Sequence, residues 1–206
     1  QAEWLTCESA DGRDESQEER IRRLPEFQKE ISLTPGKILK EARLYICGLG
    51  LYEVSVNGEK AGDAFLAPGC WDYKDWLQVQ TLDLTAALKK GGKLSVLLGE
   101  GWYMGRFAFG PEERGVYGES YHLLTELHLR YEDRSETVVG TDESWKVRRS
   151  KILFSGIFDG EIQDDTLEEL PLEPVKVLAE EKLPPLVDNL RSEEHTSELQ
   201  SHLNLV

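Results

Sequence analysis

Two stretches of this 206-residue chain carry side chains able to do chemistry. The first gathers rings and polar groups in two loops. Trp71 and Tyr73 flank Asp72 downstream of Asp63, and Trp102, Tyr103, Arg106 and Tyr117 follow Gly99-x-Gly101. A saccharide offers apolar C–H faces that stack on rings, and hydroxyls that bond to carboxylates, amides and guanidinium groups. The set Asp63, Trp71, Trp102, Tyr103, Arg106 and Tyr117 therefore suits contact with a carbohydrate. The same rings beside Gly-Pro turns also suit plugging the end of a β-sandwich or packing on another domain. The second stretch is Asp159-Gly-Glu161-Ile-Gln-Asp164-Asp165. Its carboxylates have the chemistry of an acid and base pair or of oxygen ligands for calcium. No evident partner accompanies them, so a solvated turn or a contact to a neighbouring domain is the simpler reading.

The elements that must position these loops read as strands. In LYEVSV, Tyr52, Val54 and Val56 fall on one face and Leu51, Glu53 and Ser55 on the other, the period of a strand with one covered side. Asn57-Gly58 then closes a turn, since both residues tolerate the positive φ that a tight hairpin requires. Further strands are expected over 27–33, 42–47, 77–84, 93–98, 123–131, 136–139, 144–148 and 152–154. Many short strands at even spacing predict an all-β fold, an antiparallel β-sandwich. One helical turn is expected at Thr85-Ala-Ala-Leu-Lys-Lys-Gly91, with Thr85 as N-cap and Gly91 as stop.

Several function classes are disfavoured. Gly99-x-Gly101 after a strand superficially resembles a dinucleotide fingerprint, but it leads into an aromatic loop that includes Phe107, Phe109 and Gly110-Pro111, not into a helix facing a pyrophosphate. The net charge of −15 is unevenly spread: residues 1–39 carry 9 acids and 6 bases, 40–160 carry 18 and 15, and 161–206 carry 12 and 3. No basic face exists to displace counterions from a nucleic acid, and the acidic C-terminal third reads as solvated. No apolar run approaches the roughly 18 residues of a membrane span. Cys7, Cys47 and Cys70 are odd in number and far apart, with no zinc spacing, which argues against a disulfide framework. His128 sits on the polar side of an alternating strand and reads as solvent-facing. The start lacks both Met and a signal-peptide pattern, which reads as a processed or cut end and leaves the compartment unknown.

Organisation follows from composition. Residues 1–25 read as a partly ordered leader and 26–170 as the β-sandwich. Residues 171–190 read as an interdomain linker, because prolines 171, 174, 184 and 185 forbid a continuous central strand or helix. Arg191 to His202 matches, residue for residue, the conceptual translation of a widely used sequencing adapter, so 191–206 reads as an assembly artefact and the gene as cut in mid-linker.

Several blocks occur in an order that resembles the N-terminal β-sandwich module of bacterial α-L-rhamnosidases: Ala42 to Ile46, Gly48 to Gly50, Tyr52-Glu53, Asn57-Gly58, Gly62-Asp63, Leu66 to Gly69, Gln80 to Thr85, Gly101 to Tyr103 and Ile157 to Glu161. The resemblance covers about 3–190 and implies a β-sandwich of jelly-roll, galactose-binding-like form. It implies that terminal α-L-rhamnose is hydrolysed by an inverting route, through carboxylic acids on a downstream α/α-barrel absent from this chain. The chain itself would then hold no catalytic residue and no firm metal site. It would act as a non-catalytic, carbohydrate-associated module or as a purely structural domain, with a rhamnose-containing glycan and the missing C-terminal domains of the same chain as partners. In related rhamnose-binding modules calcium sits beside an Asp and a polar neighbour. Asp63 fits the first role, but Ala64 supplies no side-chain ligand. Other departures are Cys70-Trp71, Glu100 in place of Asp, and Gln163, Asp165 and Thr166 at the end of the pattern.

Overall fold

The computed structural model describes residues 2–7, 23–106, 114–178 and 183–188. In chain order the strands are β1 (Trp4–Thr6), β2 (Pro25–Ile31), β3 (Leu39–Leu49), β4 (Leu51–Val56), β5 (Glu59–Lys60), β6 (Leu77–Asp83) and β7 (Gly92–Gly99). A one-turn helix α1 (Gly101–Met104) follows. Then come β8 (His122–Tyr131), β9 (Glu136–Gly140), β10 (Lys146–Arg149), β11 (Ile152–Gly156), β12 (Gly160–Gln163), β13 (Glu173–Pro174), β14 (Lys176–Leu178) and β15 (Leu186–Asp188). One sheet runs β14-β1-β8-β3-β6-β15, with β9 also on β8. The other runs β13-β10-β2-β7-β4-β5, and β11 pairs β12 in a separate hairpin. The chain therefore changes sheet at almost every step from β2 to β8, which builds the two-sheet sandwich that the strand spacing predicts, with the jelly-roll habit that the resemblance implies.

Alternation decides which side chains meet between the layers. On the first sheet Leu44 lies opposite Leu127 and Leu82, and Ala42 lies opposite Leu129. On the second, Phe27 and Val54 flank Val96, and Val56 lies opposite Leu94. Apart from Leu82, which is partly buried, these residues are buried and belong to one continuous core that also holds Trp145, whose Nε1 donates to the Gly140 carbonyl at 3.0 Å. Each fully buried apolar side chain of this size contributes roughly 1.5–3 kcal/mol relative to exposure. A one-residue register slip would turn every one of them to water.

Crossing from one sheet to the other constrains the backbone. Only Gly50 separates β3 from β4. Its φ is +123°, and a Cβ there would lie 2.2 Å from the Gly99 carbonyl oxygen. Gly101 (φ +55°) packs from the other side, where a Cβ would lie 2.8 Å from the Leu51 nitrogen. The glycines that resemble a nucleotide loop thus let two chain segments touch backbone to backbone at a corner. The strand leading into them has antiparallel neighbours on both sides. At the far end of β4, Asn57 (φ 53°) and Gly58 (φ 85°) make the expected hairpin turn, and the Asn57 Oδ1 accepts the Lys93 N–H at 2.9 Å.

Three expectations need correction. Residues 85–90 form turns, not a helix: the Leu88 N–H reaches the Leu84 carbonyl at 2.9 Å, but the Thr85 hydroxyl accepts from the Ala42 N–H at 2.9 Å and does not cap its own segment. The stretch is too short to nucleate and is tied to β3 instead. A helical turn occurs at Gly101–Met104, where an aromatic loop is expected. His128 does face outward but is not simply solvated, since its ring nitrogens lie 2.8 Å from Glu126 and 2.9 Å from Glu136. Partial burial opposes protonation of the ring, and the two carboxylates outweigh it and raise its pKa. The buried Cys47 thiol is pushed up to about 12 by burial, and all three cysteines are free.

The stretch read as a linker, where described, lies along sheet edges. β13 pairs β10, β14 pairs β1, and β15 pairs β6 in parallel, with the Leu77 N–H donating to the Pro185 carbonyl at 2.9 Å. Edges are where proline is tolerated, because one side of the strand needs no donor. The strap covers both sheets' margins and shields exposed N–H groups from pairing with another chain. A chain ended after Leu170 is expected to melt at least about 5 °C lower, the shift that roughly 2 kcal/mol causes in a domain of this size. One ended after Leu190 is expected to match the 206-residue chain in a thermal scan. Equal melting of all three would show that the strap carries no stability.

Candidate functional site

The end of the sandwich beside the Gly50 corner collects the aromatic loops. Tyr73 is their hub. Its ring lies 4.3 Å from Trp71, 5.2 Å from Tyr103 and 5.0 Å from Tyr117, centroid to centroid. Trp71 stacks further on Trp76 at 6.0 Å, and Tyr103 meets His122, which in turn meets Trp4. α1 places Tyr103 in this group, and the segment between the Ala67-Pro68 turn and β6 places Trp71, Tyr73 and Trp76. Edge-to-face and tilted pairs of this kind add roughly 0.5–1.5 kcal/mol each beyond the area they bury.

Burial divides the sequence-derived set. Trp71 and Tyr103 are each 8% exposed and Tyr73 is 3% exposed, so their faces are taken up by one another and by the core. Burial pushes the Tyr73 phenol up. Trp102 and Tyr117 are half-buried and form the rim, with the Lys74 ammonium 5.8 Å from the Tyr117 centroid. Asp63 is exposed in the preceding loop, outside the ring contacts that join the others. The Trp71 Nε1 is buried without a hydrogen-bond partner among the described residues. Phe107, Phe109, Gly110 and Pro111 lie outside the described residues.

Arg106 belongs to a different arrangement. Its guanidinium takes the Asp159 carboxylate in a fork, Nη2 to Oδ1 at 2.8 Å and Nε to Oδ2 at 3.2 Å, and sits 5.1 Å over the Phe158 ring. Arg106 and Arg114 form a β-bridge, and Arg114 pairs with Glu100, whose side chain is 2% exposed, while lying 5.8 Å over Phe154. The two bridged arginines are thus tied to the corner on one side and to the β11–β12 hairpin on the other. Sequence reading misses this latch. The available signal is Glu100 itself, an acid set between two glycines at the end of an apolar strand, which needs a countercharge if it is buried.

The carboxylates at 159–165 are dispersed. Asp159 is held by Arg106 and Glu161 is exposed on β12, so the two share no enclosed cleft. The Asp164 Oδ1 accepts the Thr166 N–H at 2.9 Å, and the Lys151 ammonium donates to the Asp165 carbonyl at 3.0 Å. Among the described residues, no three His, Cys, Asp or Glu side chains converge as metal ligands. Replacing Arg114 by Met leaves the Glu100 charge buried without this partner and is expected to cost about 3 kcal/mol. Adding Glu100→Gln should return most of that loss in urea unfolding. Single and double variants of equal stability would show the pair to be inert.

Similarity to known proteins fits this architecture. Over 132 residues, 63% of this chain, the sequence is 36% identical to an alpha-L-rhamnosidase of Streptomyces avermitilis, of which it spans 12%. The native alpha-L-rhamnosidase of Aspergillus terreus superposes with a TM-score of 0.74 at 31% identity, over 88% of this chain and 21% of that one. The S. avermitilis enzyme complexed with L-rhamnose superposes with a TM-score of 0.70 at 28% identity, over 80% and 17%. The chain thus spans between about an eighth and a fifth of these relatives. Residues 37–181 match the alpha-L-rhamnosidase N-terminal domain, and together with the two-sheet architecture this assigns the chain to that family.

Proposed function

We propose that this chain serves as a non-catalytic N-terminal module of an enzyme that releases terminal α-L-rhamnose, and that its aromatic end is built for packing before sugar recognition. The carrying observation is that Trp71, Tyr73 and Tyr103 are more than nine tenths buried, mainly against each other and the core. A ring must offer a free face to stack on a pyranose, and these do not. Catalysis is assigned to other domains of the natural polypeptide. Among the described residues the candidate pair, Asp159 and Glu161, shares no enclosed cleft, whereas hydrolysis with inversion needs two carboxyls, roughly 6.5–9.5 Å apart across the bond.

A second reading keeps direct contact with a rhamnose-containing glycan. It is favoured by the half-buried rim of Trp102 and Tyr117, which would offer ring edges. Calcium has no support beyond Asp63.

Calorimetric titration of the 206-residue chain with L-rhamnose, with and without chelator, separates the two. The packing role predicts no saturable heat into the millimolar range and no release of nitrophenol from a nitrophenyl rhamnoside. Saturable binding that disappears in Trp102→Ala would establish the glycan-contact reading instead.

A further inference from the structure

The loop from Ala61 to Cys70 carries two adjacent apolar side chains that the domain leaves in water. Phe65 is 87% exposed and Leu66 57% exposed. The loop is not loose. The Ala61 N–H donates to the Val54 carbonyl at 2.8 Å, the Tyr52 N–H donates to the Ala67 carbonyl at 2.9 Å, and Pro68 is buried. Both shoulders are therefore fixed to β4. Leu66 adopts φ 54°, a left-handed conformation that costs a non-glycine residue about 1–2 kcal/mol. The Lys60 ammonium lies 4.6 Å from the Phe65 centroid, and the exposed Ala64 leaves that side of the pair open. A single exposed leucine or phenylalanine needs no explanation. An adjacent pair, held outward on an anchored loop at a backbone cost, leaves most of its apolar surface unused by the isolated fold, and it has the preorganised form of an interface anchor.

We propose that Phe65 and Leu66 form a docking knob for an apolar socket on another domain of the same natural polypeptide. This rests on the reading of the chain as one module of a longer enzyme. Two observations select that occupant. The S. avermitilis relative devotes most of its length to sequence outside the matched region, so covalently linked surface is available at high effective concentration. The strap also bonds to Leu77, at the end of the ring segment that follows the Phe65–Leu66 loop in the chain. Recognition here is by side chains, because the loop's own hydrogen bonds occupy the margin of β4 and leave no open stretch for an added strand.

Hydroxyl-radical footprinting compares the 206-residue chain with the natural full-length polypeptide. Oxidation of Phe65 and Leu66 is expected to fall about tenfold in the full-length protein, as it must where the docked state is at least nine tenths populated. Exposed Ile38 on the opposite part of the fold serves as reference. In the full-length protein, F65S/L66S is expected to raise the rate of proteolytic separation of this module about tenfold, while leaving the melting of the 206-residue chain unchanged. Equal oxidation in both proteins overturns the knob. So does protection in the isolated chain that tracks a concentration-dependent dimer, which would assign the face to a second copy. A full-length protein that is protected at 65 and 66 yet inactive on nitrophenyl rhamnoside would sustain the knob and defeat the enzyme reading.

Discussion

The two-layer core depends on the chain changing sheet within a single residue. β3 delivers Ala42, Leu44 and Ile46 to one face of the core and β4 delivers Tyr52, Val54 and Val56 to the other, with Gly50 alone between the two strands. At that corner the backbone of Gly50 lies against that of Gly99. No side chain fits there, and the φ of +123° is one that L-residues avoid. The apolar faces of both sheets can be buried against each other only while this close approach holds. Everything at that end of the molecule inherits its position from it: α1 begins two residues after Gly99, Glu100 is buried between them, and the Tyr103 ring that α1 carries meets Tyr73 edge-on.

The functional reading follows from how that end is closed. Aromatic side chains occupy the region where a sugar-binding surface would need free ring faces, and they are turned into one another. Charged pairs then secure the two bridged arginines beside it, Arg114 to buried Glu100 and Arg106 to Asp159. Such pairs specify geometry more than they add stability, since desolvation offsets much of their attraction. The result is a stiff face with half-buried rings at its rim and the Phe65–Leu66 projection beside it. A module that positions other domains needs that stiffness; a module that binds a flexible glycan needs free ring faces.

Much of the fold is legible in the sequence because alternation is a local signal. The strand from Leu51 to Val56, the Asn57-Gly58 turn and the long apolar alternation from Leu123 to Tyr131 each declare themselves within a few residues. The strap is less legible. Lys176 to Leu178 and Leu186 to Asp188 are too short to show a period, and their prolines read as breakers until the sheet edges they border are known. The site is only half legible. Aromatic residues announce a cluster, but nothing in their spacing says whether the rings face one another or the solvent. Arg106 reads as a ligand donor because its partner, Asp159, lies 53 residues away. The glycines at 99 and 101 show the opposite failure, a familiar pattern with a different cause, where backbone contact at Gly50 explains what phosphate binding does not.

Thermal unfolding of Gly50→Ala beside Gly58→Ala tests the corner most directly. Both positions have positive φ, but a Cβ at Gly58 meets nothing within 4 Å, whereas one at Gly50 meets the Gly99 carbonyl. Gly58→Ala is expected to cost about 1–2 kcal/mol, the strain of a left-handed residue alone. Gly50→Ala is expected to cost at least about 4 kcal/mol or to prevent folding, since strain and collision add. Equal losses at the two positions would contradict the account, because the sheets would then be closing on each other without the contact on which it rests.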